Sequence, residues 1–322
     1  MSQTFVTFLL FLIPFLIFAA LTVLALRISR PVLKWITVVL AGFLTVVFGL
    51  ATVLGAIALV KLNTAQPNPV SAIKASASPQ DLARMQRYAV LCGDCHSSNH
   101  TAVLDGGTES VVPDFLATIY APNLTPGGDL KNWSDGEIVR AIREGVDRDG
   151  KPLIVMPSES FRNMSDADVA ALVAYLRSQP PVNHETSPKA IAALGLLLAG
   201  AGQVETSVQP PITQPIAGAP QGVTLEYGKY MTDILGCRDC HGADLAGGAP
   251  GGNGPPPGPN LTVLVPKWSE ADFLKTIRTG TDPTGHQLDP DAMPWQSFNK
   301  ALTDDELRAL YMYLHSLPPT VR

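Results

Sequence analysis

The chain has 322 residues, enough for two or three structural units. Charged residues make up 16% of the sequence, below the value of about 25% that is usual for soluble domains. The net charge of −5 argues against nucleic acid as a partner. The shortage of charge lies at the N-terminus, and all four cysteines fall in two short motifs, so the sequence predicts no disulfide.

Two apolar segments open the chain, residues 5–26 and residues 35–60. Each is long enough to cross a hydrocarbon core of about 30 Å. The alternative for the first segment is a cleaved signal peptide. The segment lacks a basic start, however, and is longer than the roughly 7–15 residues of a signal-peptide core. We therefore predict a transmembrane helical hairpin over residues 1–61, and Ala41, Thr45 and Gly49 form a row of small residues that favours close helix packing.

The short loop 27–34 between these segments carries Arg27, Arg30 and Lys34. Basic loops stay on the cytoplasmic side of a membrane. The sequence therefore predicts a multi-pass protein of the cytoplasmic membrane, in contact with lipid, whose remaining residues lie on the periplasmic or extracellular side.

A first folded domain is predicted over residues 78–182, after a proline-containing linker at 62–77. Ser78 suits a helix N-cap, Pro79 the first helical position and Asp81 the first turn. The helix leads into Cys92-Gly-Asp-Cys95-His96.

C-x-x-C-H is the attachment signature of a c-type haem. Residues three and four positions apart share one helix face. The thiols of Cys92 and Cys95 can therefore bond one edge of a porphyrin while His96 lies under the iron as its proximal ligand. A shared zinc site is the alternative, but its paired motifs are normally about 15–20 residues apart, whereas Cys95 and Cys237 are 142 positions apart. A redox dithiol would not need a histidine after both motifs.

Residues that favour helix starts and helix ends predict the rest of the first domain. The segment Tyr120-Ala-Pro-Asn-Leu-Thr-Pro126 is followed by Trp133, and Ser134 with Glu137 makes a capping box for the next helix. Met156-Pro157 then precedes a last helix that ends at Pro180-Pro181. A methionine is usually a core residue, but Met156 lies in a loop between two helices, and Met164 is the nearby alternative for a ligand role.

Residues 183–222 are predicted as a linker with a short apolar stretch at 190–201. Twelve residues are too few to span a bilayer. The stretch is expected to pack on a domain or to lie at the membrane surface. The proline-rich residues 208–221 are expected to be extended or flexible.

A second domain over residues 223–322 repeats the first in the same order. The Met-Pro and Pro-Asn-Leu-Thr segments both recur 137 residues later. An ordered series of matches indicates two copies of one mainly helical fold, each with its own covalent haem c. The recurring residues of the second copy are Cys237, Cys240, His241, Pro259, Trp268, Arg278 and Met293.

Four recurring side chains have two interpretations. Trp133, Trp268, Arg143 and Arg278 either contact the haem propionates, or the tryptophans belong to the core and the arginines to the solvated surface. Their recurrence favours haem contact. We assign Pro122 and Pro259, from the two Pro-Asn-Leu-Thr segments, to the haem environment as well.

These motifs resemble class I c-type cytochrome domains, and in particular the multihaem cytochrome subunits of membrane-bound alcohol and gluconate dehydrogenases. The match is tight over residues 106–181 and looser over 225–320. The resemblance implies Met156 and Met293 as sixth iron ligands opposite His96 and His241. It also implies a role as electron acceptor on the outer face of the membrane. The chain departs from that family by having two haem motifs rather than three and by its N-terminal hairpin.

Two functions follow from these expectations. The first is electron transfer between redox proteins or subunits of a membrane complex, without catalysis, because two axial ligands leave the iron no position for a substrate. The partner complex is a dehydrogenase or a respiratory or photosynthetic assembly. The second is a dihaem redox enzyme, such as a peroxidase or a thiosulfate-oxidising cytochrome, which would need an open iron position or a cysteine ligand.

Overall fold

In this computed structural model, residues 2–248 and 257–320 are described. The predicted ranges that start at residue 1 and end at residue 322 therefore reach slightly outside the described residues. Within these residues the fold is mainly helical, as the sequence predicts. The helices are α1 (Gln3–Ala25), α2 (Pro31–Asn63), α3 (Pro79–His96), α4 (Asp135–Glu144), α5 (Ser158–Phe161), α6 (Asp166–Ser178), α7 (Ala193–Gly200), α8 (Leu225–Ile234), α9 (Cys237–His241), α10 (Leu261–Leu264), α11 (Glu270–Thr279), α12 (Trp295–Ala301) and α13 (Asp304–Ser316).

The helices α1 and α2 form an antiparallel hairpin, and each is long and apolar enough to cross a membrane. Small residues allow close contact between them, as the row of small residues predicts. Gly49 lies against the ring of Phe15, and the hydroxyls of Thr22 and Thr45 are 3.2 Å apart. Only 11% of the most apolar stretch of each helix is buried, so most of its side chains face outward.

The first domain consists of α3 to α6. Ser78, Ser134 and Ser165 cap the starts of three of these helices. The predicted capping box between Ser134 and Glu137 is present, and Gly145 ends α4 with a left-handed φ of 66°. The helices pack on an apolar core, whose members from this domain include Met85, Ile138, Ile142, Val169, Val173 and Leu176.

The second domain repeats this order with one local difference. In the first domain α3 runs unbroken through the cysteine motif, whereas Gly236, at a φ of 69°, separates α8 from α9 just before Cys237. Then α11, α12 and α13 repeat α4, α5 and α6. Capping boxes again start two of them, at Ser269 and Thr303. Short 3-10 helices precede α4 and α11, at Asp129–Asn132 and Val265–Lys267.

The segments around the first domain are held in place by specific bonds. Strands β1 (Ala117–Thr118) and β2 (Ala190–Ile191) pair antiparallel. The 62–77 segment is bonded to the end of α4, where the Asn68 amide donates to the Glu144 carboxylate at 2.6 Å. The proline-rich stretch is bonded to the same carboxylate, because Ile212 N–H donates to its other oxygen at 2.9 Å.

Both domains share one core. Met85 and Tyr88 from α3 pack in the same buried cluster as Tyr227 and Met231 from α8. The packing is reciprocal, because α3 contacts α12 of the second domain and α8 contacts α5 of the first. The two cysteine motifs therefore belong to one packed unit.

Candidate cofactor sites

Each cysteine motif lies on a helical turn, the first at the end of α3 and the second in α9. Cys92 and Cys237 pack against the shared core, while Cys95 is exposed and Cys240 is partly exposed. Burial raises the pKa of the Cys92 and Cys237 thiols to about 12. In both motifs the two cysteines and the following histidine lie on one helical turn, as attachment of a c-type haem requires.

The histidine of each motif is oriented by a backbone carbonyl. His96 Nδ1 is 2.9 Å from the Pro122 carbonyl oxygen, and His241 Nδ1 is 2.8 Å from that of Pro259. A carbonyl only accepts, so the proton lies on Nδ1 and the lone pair on Nε2. Burial lowers the pKa of both imidazoles, which keeps them neutral. A neutral imidazole with a free Nε2 lone pair is the form that ligates iron.

The Pro-Asn-Leu-Thr segment of the first domain holds this carbonyl in position. Asn123 Oδ1 accepts from the Thr125 N–H at 3.0 Å and from its hydroxyl at 2.8 Å. The Asn123 amide donates to the Val182 carbonyl at 2.9 Å, and the Thr125 hydroxyl accepts from Val182 N–H at 3.0 Å. The segment is thereby bonded to the chain that follows the last helix of the domain.

The second domain repeats these bonds. Asn260 Oδ1 accepts from Thr262 N–H at 3.0 Å, and the Asn260 amide donates to the Thr320 carbonyl at 2.7 Å. Thr320 N–H in turn donates to the Thr262 hydroxyl at 3.0 Å. The repeated motif thus supports the His–carbonyl bond in both domains, a role that explains why Asn and Thr recur together.

Glycines allow the loop after each motif to pass close to it. A Cβ on Gly107 would lie 2.4 Å from the Cys95 carbonyl oxygen, and one on Gly248 would lie 2.3 Å from that of Cys240. No side chain fits at either position. The shared requirement explains the glycine-rich loops that follow both motifs.

The two Met-Pro loops have the same backbone form. Pro157 has φ −77° and ψ 55°, and Pro294 has φ −75° and ψ 54°. Met156 and Met293 are partly exposed and pack against the shared core, as do the two predicted tryptophans, Trp133 and Trp268. Met164, the alternative ligand, is 6% exposed inside the core.

The two predicted arginines differ in their surroundings. Arg143 is 2% exposed, and its Nη1 donates to Asp166 at 2.8 Å. Its Nε and Nη2 have no hydrogen-bond partner among the described residues. Two buried donors without an acceptor fit an anionic group such as a haem propionate.

Arg278 instead has protein acceptors for each nitrogen of its guanidinium. Nε and Nη2 donate to Asp304 at 3.2 and 2.6 Å, and Nη1 donates to the Asn299 carbonyl at 2.7 Å. A propionate contact from Arg278 would have to replace one of these bonds, so the structure supports this predicted contact less than that of Arg143.

Contacts that the sequence patterns did not predict connect each cysteine motif to the Met-Pro region of the other domain. The Ser297 hydroxyl, four residues after Met293, donates to Asp94 at 2.7 Å. The Ser160 hydroxyl, four residues after Met156, donates to Asp239 at 2.9 Å. Asp94 and Asp239 hold the same place in their two motifs, and this recurrence was the available sequence signal.

A second reciprocal pair lies deeper in the interface. The Tyr88 hydroxyl on α3 donates to Glu306 at the start of α13, at 2.5 Å. The Tyr230 hydroxyl on α8 donates to Asp168 at the start of α6. Each carboxylate is the third residue of the last helix of its domain. The two domains are therefore bonded in a pseudo-symmetric manner on both sides of the shared core.

Comparison with known proteins agrees with this arrangement. The cytochrome c family model matches residues 82–180 and 226–318. A nicotinate dehydrogenase subunit of Pseudomonas putida is 32% identical over 86% of this chain, which covers 24% of that protein. The cytochrome c subunit of the quinone alcohol dehydrogenase of Gluconobacter oxydans is 27% identical over 70% of the chain and 52% of the relative.

The alignment with a third relative covers most of that relative. The diheme cytochrome c-type protein of Cereibacter sphaeroides is 26% identical over 70% of this chain and 82% of its own length. The chain spans only about a quarter and a half of the lengths of the first two relatives.

Proposed function

The chain belongs to the cytochrome c family as a dihaem c-type cytochrome with two covalently bound haem c groups, and we propose that it transfers electrons between redox partners at the outer face of the cytoplasmic membrane. The observation that carries the proposal is the presence of two matching donor sets in one packed unit. Each set has two cysteines, a histidine with a free Nε2 lone pair and a Met-Pro loop. A bound haem supplies a one-electron iron couple.

The axial ligands that we assign are His96 with Met156 and His241 with Met293. In each domain the carbonyl-oriented imidazole and the methionine thioether would hold the iron of a bound haem. The soft thioether sulfur would favour ferrous over ferric iron and so raise the reduction potential of the haem. With both side chains bound, the iron would have no open position for a substrate, and the chain would serve as a carrier rather than as an enzyme.

We assign several residues that pack near the shared core to the haem environment. Trp133 and Trp268 pack against the shared core, and Arg143 has two buried donors without a partner among the described residues, which would suit a propionate. Pro122 and Pro259 act through their carbonyls on the proximal histidines. Arg278 belongs to this set on the basis of sequence recurrence.

Membrane attachment is assigned to the hairpin. The outward-facing apolar side chains of α1 and α2 would be costly in water and suit a hydrocarbon core. The basic loop 27–34 is assigned to the cytoplasm. Both haem domains then lie outside, and confinement to the membrane plane raises the effective concentration of membrane-bound partners.

The partner that we favour is a dehydrogenase. Subunits of nicotinate, alcohol and fructose dehydrogenases are among the relatives. The chain would take electrons from such a catalytic subunit and pass them to an acceptor in the membrane. A respiratory or photosynthetic complex is the other partner class consistent with these features.

The function is tested by the spin state and the coordination number of the two irons. We expect two low-spin six-coordinate haems, with a weak sulfur-to-iron absorption band in the oxidised protein and little carbon monoxide binding in the ferrous protein. Met156→Ala should open the first haem alone, and Met293→Ala the second alone. Met164→Ala is the matched control, because it removes a core methionine and should leave both spectra unchanged. Rapid carbon monoxide binding by the unmodified protein would contradict the carrier function and favour a dihaem enzyme.

Topology has its own test. A cysteine placed at Ser29 should resist a membrane-impermeant thiol reagent in spheroplasts and react after lysis. A cysteine at Ser187, an exposed position after the first domain, should react in both preparations. Reaction at position 29 in intact spheroplasts would place the basic loop outside and refute the assigned orientation.

A further inference from the structure

The apolar stretch between the two haem domains lies in a longer segment without charged side chains. Residues 190–204 contain no charged side chain, and Lys189 and Glu205 flank them. Within α7, Gly195, Leu196 and Ala199 are buried. Leu194 is nevertheless 46% exposed, and the following turn at 201–203 is exposed. This segment therefore keeps an exposed apolar face while it packs on protein with the other.

The protein surface that α7 covers is the hairpin. A Cβ on Gly200 would lie 2.0 Å from the Leu54 carbonyl oxygen, so the end of α7 is in close contact with α2. The chain then returns to Lys61, whose Nζ donates to the Val204 carbonyl at 2.7 Å. Leu54 and Lys61 are seven residues apart on α2, a rise of roughly 10 Å along the helix axis. The turn at 200–203 therefore lies alongside the apolar part of α2, deeper than the charged residue at its end.

The other end of α7 joins the hairpin to the first haem domain. Ile191 N–H donates to the Thr4 hydroxyl at the start of α1, at 3.1 Å. Ala192 N–H donates to the Leu116 carbonyl at 3.0 Å. Next to Leu116 is Phe115, which is 66% exposed. Two exposed large apolar side chains, Phe115 and Leu194, thus lie on adjacent segments at the outer end of the hairpin.

We propose that α7, the turn after it and Phe115 form a second membrane-binding surface that enters the outer leaflet against α2. The inference rests on the proposed membrane attachment of the hairpin. Lipid is the occupant that we assign, because the exposed face is continuous with the outward-facing apolar side chains of α1 and α2. A phenylalanine beside such a face also suits the interface region of a bilayer.

The backbone N–H groups of the turn meet the condition that a lipid environment imposes. Hydrocarbon offers no hydrogen-bond partners, so backbone groups at this depth must bond within the protein. Ala201 N–H donates to the Leu197 carbonyl at 2.9 Å, Gly202 N–H to that of Ala199 at 3.2 Å, and Gln203 N–H to that of Leu198 at 2.9 Å. A second contact with the bilayer would hold the haem unit in one orientation, whereas a single linker would let it rotate.

Depth measurements with spin labels test this inference on the haem-loaded full chain in phosphatidylcholine liposomes. The native cysteines carry haem, so one added cysteine can be labelled alone, and the haem iron adds the same relaxation with and without the added reagent, so its contribution cancels in the difference. Leu194→Cys and Leu198→Cys should be accessible to oxygen and shielded from a water-soluble nickel complex. Val46→Cys, in the middle of α2, is the lipid reference, and Leu225→Cys, 49% exposed at the start of α8, is the water reference.

The outcomes separate the two proposals. Nickel access at positions 194 and 198 with a lipid signal at position 46 would overturn the α7 inference and leave membrane attachment in place. A water signal at position 46 would overturn the attachment itself.

A measurement without substitutions guards against misfolded variants. Phospholipids with a photoactivatable acyl chain should label residues 190–204 and the hairpin of the unmodified protein, and leave α8 unlabelled. Labelling confined to the hairpin would refute the inference.

Discussion

Asp168 is one of the buried carboxylates at the interface between the haem domains. Its Oδ1 accepts from Arg84 Nη2 at 2.5 Å, and its Oδ2 accepts from the Tyr230 hydroxyl of the other domain. Asp168 and Arg84 are 6% and 7% exposed, and the Arg84 Nε has no partner among the described residues. Among those residues, the other carboxylate bonded to Arg84 is Asp81, at 2.9 Å, with a side chain 34% exposed.

Replacing Asp168 by alanine should therefore leave a buried guanidinium with one partly solvated partner. Removing one member of a buried ion pair costs about 3–5 kcal/mol. Because Asp81 remains, we expect about 3 kcal/mol, and the lost tyrosine bond adds about 1 kcal/mol. Asp81→Ala, which removes the more exposed partner, should cost only about 1 kcal/mol. The double variant Arg84→Met/Asp168→Leu should recover most of the loss, because no charge then remains buried.

The assay is urea unfolding of the haem-loaded chain in detergent, followed by far-ultraviolet circular dichroism. A double-mutant cycle of Asp168→Ala with Tyr230→Phe measures the part that acts between the domains. A cost of Asp168→Ala no larger than that of Asp81→Ala would refute the role of Asp168 as the main partner of Arg84. A cycle without coupling would show that the tyrosine bond contributes nothing to the interface.

Three further predictions concern the sites and their support. Intact mass should exceed the chain mass by two haems, and replacing Cys92 and Cys95 by alanine should remove one. Gly107→Ala, whose Cβ would lie 2.4 Å from the Cys95 carbonyl oxygen, should lower the yield of dihaem protein measured by the same masses; an unchanged yield would contradict the close approach. The pKa of Asp135 is lowered, chiefly by the hydrogen bond from Ala75 N–H, so its stabilisation is present near pH 7 and is lost as pH falls through that lowered pKa. Asp135→Asn should therefore cost more in urea unfolding at pH 7 than at pH 3, and equal costs would refute the assignment.

Local signals in the sequence were enough to predict the elements that carry the donor sets. The capping box of Ser134 with Glu137 and the left-handed Gly145 act within one helical turn, so both ends of α4 could be read from neighbouring residues. The cysteine motifs are equally local, since helix geometry alone puts Cys92, Cys95 and His96 on one face. The ordered repeat then predicted a second domain of the same fold, as the family match confirms.

Residue environments were not predictable in the same way. Arg143 and Arg278 recur in equivalent positions, and each donates to the aspartate that begins the last helix of its domain, yet Arg143 alone of the two keeps two buried nitrogens without a partner among the described residues. The difference comes from the chain segments that pack around each helix. No pattern near either arginine encodes it.

The haem attachment motifs, the helix ends, the apolar hairpin and the repeat could all be read from the amino-acid order, because each depends on interactions within a few residues. The way the two domains face each other, and the place of the apolar stretch 190–201, emerge only in the folded chain. Tyr88 and Glu306 are separated by 218 residues, and Gly200 meets Leu54 from the far side of a whole domain. Such pairs form because buried polar groups need partners and apolar surfaces need cover. Which distant group provides the partner or the cover is set by the packing of the complete chain.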